Sequence, residues 1–191
     1  MAKRKRSNRF SPIVPQGKHP FRYLVDFYYF SSKFRKISGT TQKSYTRHLD
    51  KACDTRLSDG RLLGSIRINK LGVRHVTEAY DIWLRTGVRN ANLRSACMSA
   101  VYRVAMQAEI VQLNPMRLVD KQVTKPRRVR WTHEQVKSFL DTAYGEFNYR
   151  SIGLIVHMAY EWAQRMGDMR ELTWKELDLE SQRCDLTQRK R

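Results

Sequence analysis

The chain has 191 residues, 41% hydrophobic and 10% aromatic, so one ordinary domain or two small ones can form a core, and a wholly disordered chain is excluded. Lys and Arg number 37 against 18 Asp and Glu, a formal charge of +19, which fits a polyanionic partner better than a merely soluble surface. No apolar run approaches the roughly 20 residues needed to cross a bilayer, and no apolar stretch follows the basic "MAKRKRSNRF", so neither a membrane span nor a secretory leader is expected. The expected location is the cytoplasm or nucleoid. Cys53, Cys97 and Cys184 are odd in number and have no ligand spacing with the five histidines, so reduced thiols and no metal are expected.

Residues 1–20 hold Lys3, Arg4, Lys5, Arg6, Arg9 and Lys18, with Pro12, Pro15 and Pro20 and no acid. They read as a flexible basic arm, serving nucleic acid or simply solubility or targeting. From Phe21 the segment "FRYLVDFYYFSSKF" is apolar at 21, 24, 25, 27, 28 and 30, a helical pattern whose aromatic content leaves a strand as the alternative. Gly39 is expected to break the chain and Thr40 or Thr41 to cap a helix reaching about Cys53. Tyr45, Leu49 and Ala52 then face inward, with Lys43 and Arg47 on another face. "LSDGRLLGS" reads as a turn. A short irregular piece from Ile66 leads into a helix with Val76, Ala79, Tyr80, Trp83 and Leu84 inside, closed by Gly87.

The clearest helix lies in "NANLRSACMSAVYRVAMQAEIVQLNP". Leu93, Ala96, Cys97, Ala100, Val101, Val104 and Ala105 form its apolar stripe, Arg94 and Arg103 fall off it, and it must stop before Asn114-Pro115. Residues 121–130 carry Lys121, Lys125, Arg127, Arg128 and Arg130 with no acid, and read as an interdomain linker. A linker of that kind suits a protein that closes around a polyanion; a solvated connector is the plainer alternative. Beyond it, Thr132 with Gln135 forms a capping box that sends Val136, Phe139 and Leu140 inward. "YRSIGLIVHMAYEWAQRM" is apolar enough for a central buried helix, and the tail after Asp178 alternates as an edge strand does.

Within "EWAQRMGDMRELTWKELDLE", Arg165, Gly167, Asp168, Leu172 and Trp174 stand in a fixed spacing, with Asp178 after them. An isolated Arg-x-x-Asp on a helix reads as a structural ion pair. The whole pattern resembles the first-arginine motif of the tyrosine recombinases, the phage integrase family, with Met166 and Met169 for the usual aliphatics and Asp168 where Glu is commoner. Upstream, the run from Thr40 to Tyr45 and the "AEIVQLNPM" helix end resemble that family's core-binding domain. The resemblance covers about residues 21–191.

The resemblance implies a mainly α fold: a helical, SAM-like core-binding domain over 21–120, the linker 121–130, and the N-terminal part of an α+β catalytic domain over 131–191. It implies a site-specific DNA recombinase that breaks and rejoins strands through a 3′-phosphotyrosine, without metal or ATP, and that oligomerises on duplex DNA when full length. Arg165 is then the ligand of the scissile phosphate, because a planar guanidinium gives parallel donors to two phosphate oxygens where lysine gives a point charge. Asp168 orients a neighbouring cation, and Leu172 and Trp174 pack. Lys190 matches the lysine that protonates the leaving 5′ oxygen, although Arg191 follows where a threonine is common; a basic chain end is the alternative.

The family's further His-or-Lys-x-x-Arg pair and nucleophilic tyrosine have no counterpart here. The only His-x-x-Arg runs from His19 to Arg22, and Tyr144, Tyr149 and Tyr160 all precede Arg165. The 191 residues are therefore expected to bind DNA without recombining it. Lys43, Arg47, Arg94, Arg103, Lys125, Arg127, Arg128 and Arg130 are the candidate DNA-backbone contacts. A non-enzymatic DNA-binding protein, such as an excision factor or regulator, is the alternative.

Overall fold

In a computed structural model, which describes residues 14–124, 130–178, 180–181 and 183–184, the chain divides into two compact units, Met1–Lys125 and Pro126–Arg191. The described residues are mainly helical, with a single two-stranded hairpin.

Unit 1 contains α1 (Phe21–Phe30), α2 (Ser32–Lys36), α3 (Gly39–Cys53), α4 (Val73–Leu84) and α5 (Val88–Gln107), joined by 3-10 turns at Leu63–Ser65, Ile68–Lys70 and Pro115–Arg117. The helical spacing of α1 puts Phe21, Leu24, Val25 and Tyr28 on one buried face. The cap of α3 differs from expectation. Ser38 Oγ accepts from Thr41 N at 3.4 Å, so Ser38 is the cap and Gly39 the first helical residue. Gly87, with φ of 105°, closes the turn after α4 as expected, its N–H donating to Leu84 O at 2.9 Å, and it also serves as the N-cap of α5. Arg22 ties α1 to the end of α3 through Asp50 at 2.7 Å and Asp54 at 2.8 Å.

The buried face of α5 is broader than the predicted stripe and rotated from it. Ala91, Arg94, Ser95, Met98 and Tyr102 join Cys97, Val101, Val104 and Ala105 inside, while Ala96 is exposed. The cause is crowding: α1, α3 and α4 all touch α5, so more than one stripe loses water. Arg94, expected on the outer face, is only 8% exposed. Its Cζ lies 6.0 Å from the centre of the Trp83 ring, and Trp83 Nε1 donates to Thr55 Oγ1 at 2.7 Å. Arg94 Nε and His48 Nδ1 are both buried without a hydrogen-bond partner among the described residues.

Two expected boundaries shift. Residues 17–20, assigned to the free arm, are held by the core: Ile68 N donates to His19 O at 2.9 Å and Asn69 N to Gly17 O at 3.0 Å. Residues 1–13 lie outside the described residues. The linker expected from residue 121 likewise begins inside unit 1. There Gln122 N donates to Tyr80 Oη at 2.9 Å, and Asn92 Nδ2 donates to Gln122 O at 2.8 Å.

Unit 2 contains α6 (His133–Gly145), α7 (Arg150–Glu161), α8 (Met166–Arg170) and the antiparallel strands β1 (Leu177–Asp178) and β2 (Arg183–Cys184), with Leu177 opposite Cys184. Thr132 and Gln135 form the expected capping box, which starts α6 where the pattern places it. α6 meets α7 at Gly153, where a methyl group would come within 3.0 Å of Ala143 Cβ; the missing side chain permits the close approach. α7 was expected to be centrally buried. Among the described residues it is not: Gly153 is its only buried residue, and Ile152 and Leu154 are about half exposed. Trp174, expected to pack, is 81% exposed.

Burial, then the cations Arg47, Arg94 and Lys51, lower the His48 pKa below the usual 6.5. The unfolded chain therefore takes up this proton first as pH falls. The stability tied to neutral His48 is complete above 6.5 and is lost as pH drops through the lower folded value. Urea unfolding of His48→Gln should accordingly show a flatter pH dependence below neutrality than the parent chain. Arg94→Met removes a desolvated cation while keeping an apolar stem, and should raise stability by about 1 kcal/mol or more. A fall of that size in the unfolding free energy would mean that the contact with Trp83 outweighs the desolvation.

Candidate nucleic-acid interface and phosphate-binding arginine

On α3, Lys43, Arg47 and Lys51 recur every fourth residue and so share one face. Lys43 and Arg47 are exposed. With Gln42, Thr46, Asp50 and Asp54 they line a hollow of about 690 Å³. Both carboxylates of that hollow are engaged by Arg22, which limits how far they offset the three cations.

Arg103, exposed on α5, lines a different cleft of about 500 Å³. Arg117 and Lys121 line it as well. Arg117 was not singled out from the sequence, although "NPMR" held a usable signal: a proline at the start of a 3-10 turn sets the position of the residue that ends it. Arg94 belongs to neither hollow and is buried over Trp83, which withdraws it from the set of exposed phosphate contacts. Desolvation lowers its pKa, the expected direction for a guanidinium held without a carboxylate. Arg130 is exposed; Lys125, Arg127 and Arg128 lie outside the described residues.

In unit 2 the geometry around Arg165 follows from how α7 ends. Trp162 closes the helix, and Ala163 takes the left-handed conformation, φ 51°, that usually calls for glycine. The chain leaves α7 there and restarts at α8. Arg165 is therefore not inside a continuous helix, as its surroundings suggested, but is the extended N-cap of α8, φ −71° and ψ 141°. Its carbonyl accepts from Asp168 N at 3.0 Å and Met169 N at 3.2 Å. Met169 anchors the short helix in the interior, and the Arg165 side chain is exposed.

Asp168 is half-buried, and its Oδ2 is a buried acceptor without a hydrogen-bond partner among the described residues. A guanidinium can in general grip a phosphate through paired donors, and a carboxylate can orient a donor. Lys190 lies outside the described residues.

The two free thiols of unit 1, Cys53 and Cys97, are buried, and burial pushes each to about 12, so neither is poised as a nucleophile near neutral pH.

No family model matches the chain, and no curated protein matches it. Solved structures do. The Tn1549 transposon integrase in complex with a circular intermediate DNA matches with a TM-score of 0.68 at 20% identity, over 85% of this chain and 50% of that one. The lambda integrase dimer bound to a COC′ core site matches with a TM-score of 0.68 at 19% identity, over 83% of this chain and 43% of that one. A third, the Tn1549 integrase with transposon right end DNA, matches with a TM-score of 0.62 at 21% identity. The chain thus spans about half the length of the integrases it resembles. At these identities the likeness establishes architecture: over more than four-fifths of its length, the chain has the fold of the tyrosine recombinase integrases.

Proposed function

We propose that the chain binds duplex DNA as the core-binding domain and the beginning of the catalytic domain of a tyrosine-type site-specific recombinase. The observation that supports this best is the coincidence of the Arg165 motif with an integrase fold at an exposed position. Arg165, Gly167, Asp168 and Leu172 stand in the spacing of the recombinase arginine motif, and Arg165 is an exposed residue at the start of α8. The neighbours of like fold were solved with DNA.

On this reading, unit 1 holds the duplex through Lys43 and Arg47, with Arg103 and the linker cations alongside. Such contacts fix register on the backbone without reading the bases. Arg165 takes two oxygens of one phosphate. Its donors stabilise the charge those oxygens gain when phosphorus becomes five-coordinate, the logic of an oxyanion hole. Asp168 holds a neighbouring donor in place. In the complete reaction a tyrosine attacks the phosphate, a 3′-phosphotyrosyl bond forms and the 5′ hydroxyl leaves. A 5′ hydroxyl of the partner strand later displaces the tyrosine and restores the phosphodiester. The covalent link divides one hard step into two easier ones and conserves the bond energy. Of that scheme, the residues of this chain are assigned the holding of the duplex and of the phosphate.

Three measurements test the assignment. Fluorescence anisotropy with a labelled duplex should show binding that weakens linearly on a log–log salt plot. Lys43→Ala/Arg47→Ala should lower that slope by about 2. Supercoiled plasmid should stay supercoiled with these 191 residues, which hold no tyrosine after the arginine motif; nicking that disappears in Arg165→Ala would refute that expectation. Arg165→Ala should also weaken duplex binding with a slope lower by about 1, and Arg165→Lys should restore the slope but not the full affinity, since lysine lacks the paired donors. A non-enzymatic DNA-binding protein would show the first behaviour and indifference to position 165.

A further inference from the structure

We infer that the cleft between the C-terminal half of α5 and the Pro115–Arg117 turn seats the phosphodiester backbone of duplex DNA, with Arg117 and Lys121 as phosphate ligands beside Arg103. The inference rests on the DNA-binding reading above and adds to it a second contact surface on unit 1, distinct from the α3 face.

The electrostatics are the first ground. Ala96, Ser99, Arg103, Met106, Gln107, Asn114, Arg117 and Lys121 line the cleft, three cations and no carboxylate. The hollow on α3 includes two carboxylates, Asp50 and Asp54, which remain beside its three cations even though Arg22 engages both. None of Arg103, Arg117 and Lys121 is in an ion pair among the described residues, and all three are exposed. The acids nearest in the chain, Glu109 and Asp120, do not line the cleft. Positive potential here is therefore less diluted than on α3, although α3 carries the more obvious run of basic residues.

The second ground is that the backbone bearing these cations is fixed. α5 closes with Glu109 N bonded to Met106 O at 3.1 Å and Ile110 N to Ala105 O at 3.0 Å, and Glu109 itself is left-handed at φ 57°. That is the Schellman closure, and it turns the chain back along α5. Asn114 Oδ1 then caps Met116 N at 3.0 Å. Met116 is fully buried and Val119 nearly so. Gln122 is held at both its N–H and its carbonyl by Tyr80 and Asn92. Arg117 follows one anchor and Lys121 stands between two others. Binding thus orders side chains only, not a loop, which lowers its entropic cost.

The third ground is the form of the cleft, which selects a polymer over a small ion. A space of about 500 Å³ is far larger than one phosphate, and its cations come from separate places along the chain, Arg103 on α5, Arg117 at the end of the turn and Lys121 beyond it. Exposed cations hold free phosphate poorly in water. They hold a polyphosphate strand well because each contact releases a condensed counterion. Ser99, Gln107 and Asn114 supply uncharged donors between the cations.

The test compares two double variants that remove equal charge from unit 1. Arg117→Ala/Lys121→Ala alters the cleft. Arg85→Ala/Arg89→Ala alters exposed cations near the other end of α5, with Arg89 and Arg103 about 21 Å apart along the helix axis. Each is measured by anisotropy on one labelled duplex across a salt series, with far-UV circular dichroism and melting to verify the fold. The expected result is a slope lower by about 2 and an affinity at least about tenfold weaker for the cleft variant, with a clearly smaller change for the control. Equal effects in both variants would overturn the cleft while leaving DNA binding intact. A parent chain that binds no duplex would overturn the DNA reading and this inference together.

Discussion

Helix α5 has neighbours on three sides, and that crowding governs most of what unit 1 does. α1, α3 and α4 all press on it, so its inner surface takes up Ala91, Ser95, Met98, Val101, Tyr102 and Ala105 and also the stem of Arg94. Only a narrow strip stays in water, and Ala96, Arg103 and Gln107 lie on it. The same helix that organises the core thus limits where a cation on it can reach a partner. Trp83 shows the tightness of the arrangement. Its N–H is used by Thr55 and its ring lies under Arg94, so a buried aromatic supports both the end of α3 and a desolvated guanidinium.

A chain with +19 formal charge must hold like charges close together, and the distribution of its few carboxylates decides where the potential survives. Asp50 and Asp54 join Arg22 across α1 and α3, and Asp59 joins Arg61 within a turn. These pairs are partly exposed and individually modest in stability. Their larger effect is positional: they draw acids toward the α1–α3 seam and the Leu57–Arg61 turn, and the α5 cleft keeps its cations unopposed. Mutual repulsion there is screened over roughly 8–10 Å at ordinary salt, so a folded bundle tolerates it and a polyanion relieves it.

Unit 2 treats its arginine differently. Arg165 comes after a break, at the extended residue that opens a short helix, so its side chain projects from a chain end of the helix and is not one more member of a helical face. The left-handed Ala163 that produces the break is unfavourable by about 1 kcal/mol or more for a residue with a Cβ. Met169 in the interior holds α8 in place after it. Asp168 sits half-buried one turn along, with an acceptor oxygen that lacks a donor among the described residues. Arg165 is thus exposed, with a half-buried carboxylate three residues along the chain.

Much of this was readable before any coordinates. The helical class, the face of α1, the inner residues of α4 and the Thr132–Gln135 cap follow from local periodicity and capping chemistry, which depend on neighbours a few residues away; the Arg165 motif rested on a resemblance in spacing. Ser38 taking the cap from Thr40 and Thr41, the continuous break at Ala163 and the exposure of α7 were not readable, because each depends on how the chain enters or leaves a helix. By itself the sequence determined a basic, mostly helical chain with a recombinase-like arginine. Only the tertiary structure decided that Arg94 goes inside while Arg117 and Lys121 stand out beside Arg103. The reason is that burial belongs to the surfaces that meet: periodicity says which residues share a face, but not how many faces a neighbouring helix will cover.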